Sequence, residues 1–357
     1  MKNVIKLLCV VILAAIPLVC YACMKKQAAE NLPVSVLQKT EGTNMVTTTD
    51  ESKNDFWVCT FQLIWNDLMD KIVKGPVNFV GGNPKLADIL NKQSFTEDML
   101  SPDSYYKVLD TPSKALKAKI ENDIYEKFEE KSDILDRFDW PDAPVPGSFF
   151  LYTMLIKKFE FEPEFSELDA LPFNGSANRY KFFGIDKNSE FLPRLNVKVL
   201  FYNSENEYAV MLKNTQNEEV ILYRTDADKS LDELYKNLTK KSEKNEIKFG
   251  YDDNLRVPFI AVDKEVTYDS LCDKQIKNTN FIISQAIQTV KFNMDNKCGK
   301  LKSEAAMTVK SSAMITPPVI RNYYFDKKFV LFMKEENKPK PYFALKVKNT
   351  DFLVPEK

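Results

Sequence analysis

The hydrophobic period of this chain changes once, near Trp140, and that change restricts the fold more than any other feature. Before it, large apolar residues recur every three or four positions: Phe56, Cys59, Leu63, Ile64, Leu68 and Ile72, then Leu86 to Leu90, then Leu116, Ile120, Ile124 and Phe128. Such spacing lines one face of an α-helix, because 3.6 residues make a turn. The expected helices run from Phe56 to Ile72, stopped by Lys74-Gly75-Pro76, then over Leu86–Leu90, then within Ser113–Phe138 with Lys and Glu on a solvated face. After Pro141, Pro144 and Pro146 the pattern alternates. Leu195, Val197, Val199 and Phe201 share one side of a strand, and Tyr208–Leu212 and Val220–Tyr223 continue as hairpin-linked partners. Phe159, Phe161 and Phe165 alternate with acidic residues and read as a half-buried strand or sheet edge. Ser230 and Glu233 form a capping box for a short helix through Leu231, Leu234 and Leu238. Helices first and mostly strands afterwards imply a mixed α+β domain.

Charge and residue types then exclude whole classes of function. With 50 basic and 51 acidic residues the net charge is −1, so no overall field draws the chain to nucleic acid or to an anionic membrane. Histidine is absent, which removes the usual proton shuttle of serine and cysteine hydrolases and the commonest ligand of catalytic zinc. Asp, Glu, Ser and Lys are plentiful, but no spacing among them singles out a catalytic set, and nothing calls for a cofactor or a metal. Cys59, Cys272 and Cys298 allow at most one internal bridge and form no zinc pattern, so they read as small thiols. Gly81-Gly82 before Asn83-Pro84 lacks the Lys-Ser/Thr ending of a phosphate loop and reads as a turn. Asn174-Gly175-Ser176 and Asn237-Leu238-Thr239 match glycosylation acceptors, a frequent chance pattern, and are assigned no role.

At the N-terminus, Lys2 and Lys6 precede an uncharged apolar run from Leu7 to Val19 that ends near the small residue Ala22. The run is shorter than the ~20 residues of a membrane span, and its basic flank fits an export signal over residues 1–22. Cys23 directly after Ala22 is a lipidation candidate, although Cys20 stands where lipoprotein signals usually carry Leu. Lipid attachment at Cys23, ordinary cleavage after Ala22 and retention as an anchor stay open. Residues 23–54, polar and including Thr47-Thr48-Thr49, read as a tether, which leaves 55–357 as one folded domain.

The C-terminal half carries a family resemblance. VKVLFYN, EYAVMLKN and EEVILYR followed by SLDELYKNL are similar to the paired strands and short helix in the middle of serpins. LRVPFIAVDKEVTYDSLCDKQI, with Tyr268 to Leu271, resembles the strand and helix that follow, and ISQAIQTVKFNMDNK resembles the central-sheet strand leading into the reactive loop. SEAAMT, at Ser303, Glu304, Ala305, Ala306, Met307 and Thr308, is similar to the small-residue hinge of that loop. FDKKFVLFMKE and PYFALKVKN resemble the two buried strands that end the fold. Coverage is good over Asn196–Asn349 and faint before it, where VNFVGGNPKLADIL only loosely resembles the shutter helix, with Asn83-Pro84 in place of Ser-Pro. Gln288 stands where serpins usually carry a shutter histidine, and Lys300-Leu301-Lys302 adds residues before the hinge.

The resemblance implies N-terminal helices packed on a large antiparallel or mixed central sheet, further strands, and an exposed reactive loop over about residues 299–320. It implies an exported, monomeric inhibitor whose partner is a serine or cysteine protease, not an enzyme. The runner-up is a non-inhibitory binding or structural protein of the cell envelope, a reading that Gln288 and the extra lysines favour. Counting back from Pro317-Pro318, which resemble the two prolines after the cleavage site in some serpins, places the scissile bond at Met314-Ile315; counting forward from Glu304 places it nearer Thr316-Pro317, but proline after the bond suits few serine proteases, so Met314-Ile315 is preferred, with Lys310-Ser311 as the competing trypsin-like site. Apart from any family, a strand over Ser303–Ala313 would carry Ser303, Ala305, Met307, Val309, Ser311 and Ala313 on one face and both of its charges, Glu304 and Lys310, on the other. Such a segment suits addition to an accepting sheet, for which serpin loop insertion is the standard example.

Cell fractionation checks the N-terminal reading: the protein is expected outside the cytoplasm, and full-length protein recovered solely in the cytosol refutes export. Cys23→Ser is expected to release the protein from the membrane fraction only if that cysteine carries a lipid.

Overall fold

A computed structural model describes residues 39–41, 53–243, 245, 247–298 and 320–356. The expected signal, Cys23 and most of the tether lie outside these residues. The strands are β1 (Lys39–Glu41), β2 (Asp55–Val58), β3 (Tyr105–Asp110), β4 (Phe150–Leu155), β5 (Ser166–Pro172), β6 (Arg179–Ile185), β7 (Val197–Ser204) and β8 (Glu207–Leu212). They continue as β9 (Glu218–Arg224), β10 (Asn254–Pro258), β11 (Ile260–Thr267), β12 (Ile287–Met294), β13 (Asn322–Tyr324), β14 (Phe329–Glu335) and β15 (Phe343–Val347). The α-helices are α1 (Thr60–Asp67), α2 (Lys85–Leu90), α3 (Lys114–Phe128) and α4 (Leu231–Ser242). The mixed α+β class expected from the sequence is the one observed.

The largest sheet runs β2-β15-β14-β9-β8-β7. Two of its inner strands, β14 (FVLFMKE) and β15 (FALKV), are buried along their whole length, as near-continuous apolar runs require when both faces are covered. One cover is α4, whose Leu231, Leu234 and Leu238 enter the core and whose Tyr235 ring meets Phe332 edge-on at 5.3 Å. Its capping box is formed as expected, with the Ser230 hydroxyl accepting from the Glu233 N–H. A second sheet runs β13-β10-β6-β5. The remaining strands form two separate pieces, β1-β11-β12 and β3-β4. In the first piece Lys39–Glu41 pairs in parallel with Glu265–Thr267 on the outer edge of β11.

Several expectations are corrected. The stripe from Phe56 begins with a strand, not a helix: Phe56 and Val58 face Leu345 and Phe343 across β15, and the helix starts only at Thr60. Asp55 and Trp57 are buried and their neighbours half-buried, a period of two hidden because Phe56 also fits the helical spacing. The stripe in Ser113–Phe138 is helical only to Phe128, because Glu129 turns left-handed at φ 57° and stops it. Leu195 belongs to the exposed 3-10 turn Leu192–Asn196, not to the strand. Phe159, Phe161 and Phe165 form no strand; they are fully covered and meet edge-to-face at 5.3 and 5.0 Å. Rings packed in a row, with Phe161 touching both others, bury themselves without a ladder, so the alternation reported packing and not pleating.

Gly184 is the position where absence of a side chain matters most. It lies at φ +149° between β5 and β10, opposite Ser166 and Arg256, and a Cβ built on it would sit 2.0 Å from the Leu255 carbonyl oxygen. Backbone cannot rotate away as a side chain can, so β10 would have to move. Gly184→Ala is expected to cost about 2 kcal/mol or more, within the range for forced overpacking. A thermal melt superimposable on the parent's would show instead that β10 yields freely.

A candidate strand-accepting slot

Among the described residues, strands β4 and β12 each have a partner on one side only, β3 and β11 respectively. Their other edges line one cavity of ≈ 750 Å³, which takes in Phe150–Leu155 and Ile287–Phe292. The two strands are joined at both ends. Beyond their C-terminal ends the Phe161 N–H donates to the Lys297 carbonyl at 3.2 Å, the Phe165 N–H to the Asn296 carbonyl at 3.1 Å, and the Asn296 amide returns to the Phe165 carbonyl at 3.1 Å. Ahead of their N-terminal ends the Phe149 and Phe281 rings meet edge-on at 5.5 Å. Like ends meeting like ends means that β4 and β12 run in the same direction. Between them lies a slot with main-chain donors and acceptors on both walls.

Thr60, Phe61, Ile64 and Trp65 of α1 line the slot from beneath. Gln288 on β12 is buried; its amide donates to the Thr60 hydroxyl at 2.6 Å, and its carbonyl accepts from the Tyr268 hydroxyl at 2.7 Å. Tyr268 stacks on Phe61 at 3.8 Å, so one amide fastens β12 to the first turn of α1. Burial pushes the Tyr268 hydroxyl and the Cys59 thiol far up, and both stay protonated. Asn83-Pro84, which loosely resembles the shutter segment, precedes α2: Asn83 accepts from the Phe79 N–H and donates to Asn78 and Asp88, and Phe79, Ala87 and Leu90 share one apolar cluster with Phe61 and Tyr268.

At the C-terminal end of β4, Lys157 reaches into the neighbouring sheet. Its ammonium pairs with Glu218 at 2.8 Å and with Glu335, and lies 5.1 Å from the centre of the Tyr342 ring. Glu335 also accepts from the Ser101 N–H and hydroxyl, at 2.8 and 2.7 Å. Burial raises the Glu218 carboxyl above its usual range. Burial would raise Glu335 as well, but Lys157 and the two Ser101 bonds outweigh it and hold that carboxyl low.

A cover closes the outer face. Residues 130–140 pack on the β3-β4 piece, where Phe138 and Trp140 meet Phe150 edge-on at 5.1 and 4.6 Å. From there Asp133 pairs with Lys291 on β12 at 2.8 Å, and Arg137 with Glu265 on β11 at 3.3 Å. The Arg137 carbonyl accepts from the Gln285 amide at 3.2 Å. Lys291, Asp133 and Arg137 are about half exposed, so each bridge is worth at most ~1 kcal/mol and the cover crosses the slot on weak ties.

No protein-family model matches the sequence, and no curated protein matches it. Among solved structures, the chain is similar to a thyroxine-binding globulin in complex with thyroxine, at TM-score 0.44 and 12% identity over 84% of this chain and 94% of that one. It is similar to Serpin48 of the insect Tenebrio molitor at TM-score 0.43 and 12% identity, over 83% of this chain and 92% of that one. A human thyroxine-binding globulin structure matches at TM-score 0.44 and 12% identity, over 84% and 93%.

The residues picked from the sequence as hinge and scissile sites, Ser303–Thr308, Lys310, Ser311, Met314 and Ile315, lie outside the described residues. Their frame is described: β12 ends at Met294, and the described residues stop at Cys298 and resume at Ile320. At the exit the Asp295 carboxylate accepts from the Lys297 and Cys298 N–H groups at 2.8 and 3.3 Å, and Cys298 turns left-handed at φ 44°. The sequence reading missed Thr60, Lys157, Glu218, Glu335, Asp133 and Arg137. The only signal for any of them was the lysine pair Lys157-Lys158 ending an apolar run, and that resembles an ordinary strand terminus. Among the described residues no group of Cys, Asp and Glu is placed to hold a metal ion, and no helix is long and apolar enough to cross a membrane.

Gln288→Leu keeps the volume and removes the hydrogen bonds given to Thr60 and to the Val58 carbonyl and the one accepted from Tyr268, stranding the Tyr268 hydroxyl. The expected loss is about 1–3 kcal/mol by chemical denaturation, with faster hydrogen exchange along β12. Unchanged exchange on β12 would show that the amide does not fasten the strand.

Proposed function

We propose that this chain is an exported serpin-type inhibitor of serine or cysteine proteases, acting when its loop is cleaved and enters the slot between β4 and β12 as a strand. One observation carries the reading: two strand edges with a common direction flank a cavity, and the chain that leaves one of them turns at once, at Asp295–Cys298. A segment returning from that turn runs against β12 and therefore against β4 too. It would form an antiparallel ladder on both sides.

Length and composition agree. The eleven residues Ser303–Ala313 span roughly 35 Å as a strand, against roughly 25 Å for the eight of β12. Their face of Ser303, Ala305, Met307, Val309, Ser311 and Ala313 suits the apolar floor, and the face with Glu304 and Lys310 suits solvent under a loosely tied cover. A protease attacking the loop would form an acyl-enzyme and be carried with the cleaved strand, and the stored strain would supply the work. The chain then needs no catalytic group of its own.

The second reading is a binding or structural protein of the same fold in which the loop does not insert. The amide tie at Gln288 favours it, since insertion must move β12 against two buried hydrogen bonds.

Incubation with trypsin, elastase, subtilisin and papain separates the two. The inhibitor reading expects a covalent complex that survives denaturing electrophoresis, with a released fragment starting at Ile315. A fragment starting at Ser311 without a complex moves the chain to the second reading. Nicking within Ser303–Ile315 is expected to raise the melting temperature. Burial of Met307 and Val309 alone is worth roughly 3–6 kcal/mol, and each kcal/mol shifts a domain of this size by about 1.5 °C. Ala305→Glu or Val309→Glu abolishes that rise, because an unpaired buried carboxylate costs several kcal/mol. A nicked protein that melts no higher than the intact one overturns loop insertion.

A further inference from the structure

Large apolar side chains are exposed in one concentrated place beside the point where the chain rejoins the body. Phe191, Leu192 and Leu195 are 53, 52 and 58% exposed, and Tyr251 is 72% exposed. Leu192 and Leu195 are three apart in a 3-10 turn and so share its face, while the Phe191 and Tyr251 rings stack at 6.2 Å. The patch is held rigidly from beneath. The buried Arg194 lies 5.6 Å from the centre of the Tyr251 ring and donates to the Asp253 and Asp186 carbonyls at 2.9 and 3.0 Å. Asp253, two residues from Tyr251, accepts from the Arg321 N–H at 2.8 Å. The neighbouring Ile320 is itself 59% exposed. Lys187, Glu190 and Asp252 stand exposed around the apolar centre, which gives it a charged rim of both signs.

We propose that this patch is a docking surface for the body of the protease that attacks the loop, a reading that rests on the function proposed above. Chain length carries the argument. No more than six residues separate the Met314-Ile315 bond from Arg321, a reach of at most about 20 Å. A protease domain of ~220 residues has a radius of gyration of about 17 Å, hence a body extending some 20 Å from its centre. An enzyme seated on that bond overhangs the surface beside Arg321, and the patch is that surface. Aromatic and aliphatic side chains on a rigid base with a polar rim are the usual core of such a contact. The patch thus adds recognition to a loop whose own sequence offers only one flexible methionine at the bond.

The test uses the full chain and pancreatic elastase, with a free peptide of residues 305–320 as control. Phe191→Ser with Tyr251→Ser is expected to lower the second-order rate of attack on the protein at least ~10-fold. Cleavage of the free peptide sets the rate without the body, and the variant is expected to fall toward it with an unchanged melting temperature. Leu195→Lys, at a fully surface site, gives the same direction if the double variant folds poorly. A slowed variant supports the patch even if the parent is only cleaved and never complexed, an outcome that removes the inhibitor reading alone. An unchanged rate in both variants overturns the patch while leaving the loop reading intact. A parent that elastase neither cleaves nor traps overturns both. Loss of a concentration-dependent dimer in the variants without any change in rate assigns the patch to a second copy of the chain.

Discussion

Two strand edges that share a direction and lack a common ladder are the constraint around which the rest of this molecule is arranged. Every second residue on the free edge of β4 and of β12 aims an N–H and a C=O at the other wall, and such groups must find partners in water or in a third strand. The surrounding elements hold these walls in place. Gln288 and α1 fasten β12 from below, Lys157 fastens the end of β4 to Glu218 and Glu335, and residues 130–140 cross above. The ties differ greatly in strength. Breaking a buried pair such as Lys157 with its two carboxylates typically costs 3–5 kcal/mol, whereas the half-exposed bridges of the cover cost little, so the outer face is the side that gives way.

How much of this could be read from the sequence depended on whether the relevant period was local. The hairpin strands β7, β8 and β9 and the capped helix α4 follow from alternation and from Ser230 and Glu233, because those signals are complete within a few residues. Phe56–Val58 was misread because a four-residue strand at the head of a helix leaves no room for a second period to declare itself. The Phe159, Phe161 and Phe165 cluster was misread for a related reason: alternation records which residues are buried, and ring-on-ring burial gives the same record as a pleat.

The slot itself was legible only in half. The segment expected to add as a strand announces itself by composition, but the slot proposed for it is made of pairings that do not form among the described residues, and an unmade pairing leaves no mark on a sequence. Gln288 could be located by the order of its neighbours, yet its partners Thr60 and Tyr268 lie 228 and 20 residues away and are joined to it only by the fold. The same holds for Lys157, whose partner Glu335 is 178 residues distant.

The amide at position 288 also bears on acidity. An imidazole under the seam would gain a proton between about pH 5 and 8 and would change its hydrogen bonds as it did so. Glutamine has no such transition, the Tyr268 hydroxyl facing it is pushed upward, and the Thr60 hydroxyl carries no charge at any relevant pH. The fastening beneath β12 therefore has one proton inventory from an acidified vesicle to neutral surroundings. Acidification has no handle on this amide tie, and the Lys291–Asp133 bridge on the same strand is a separate, charged contact.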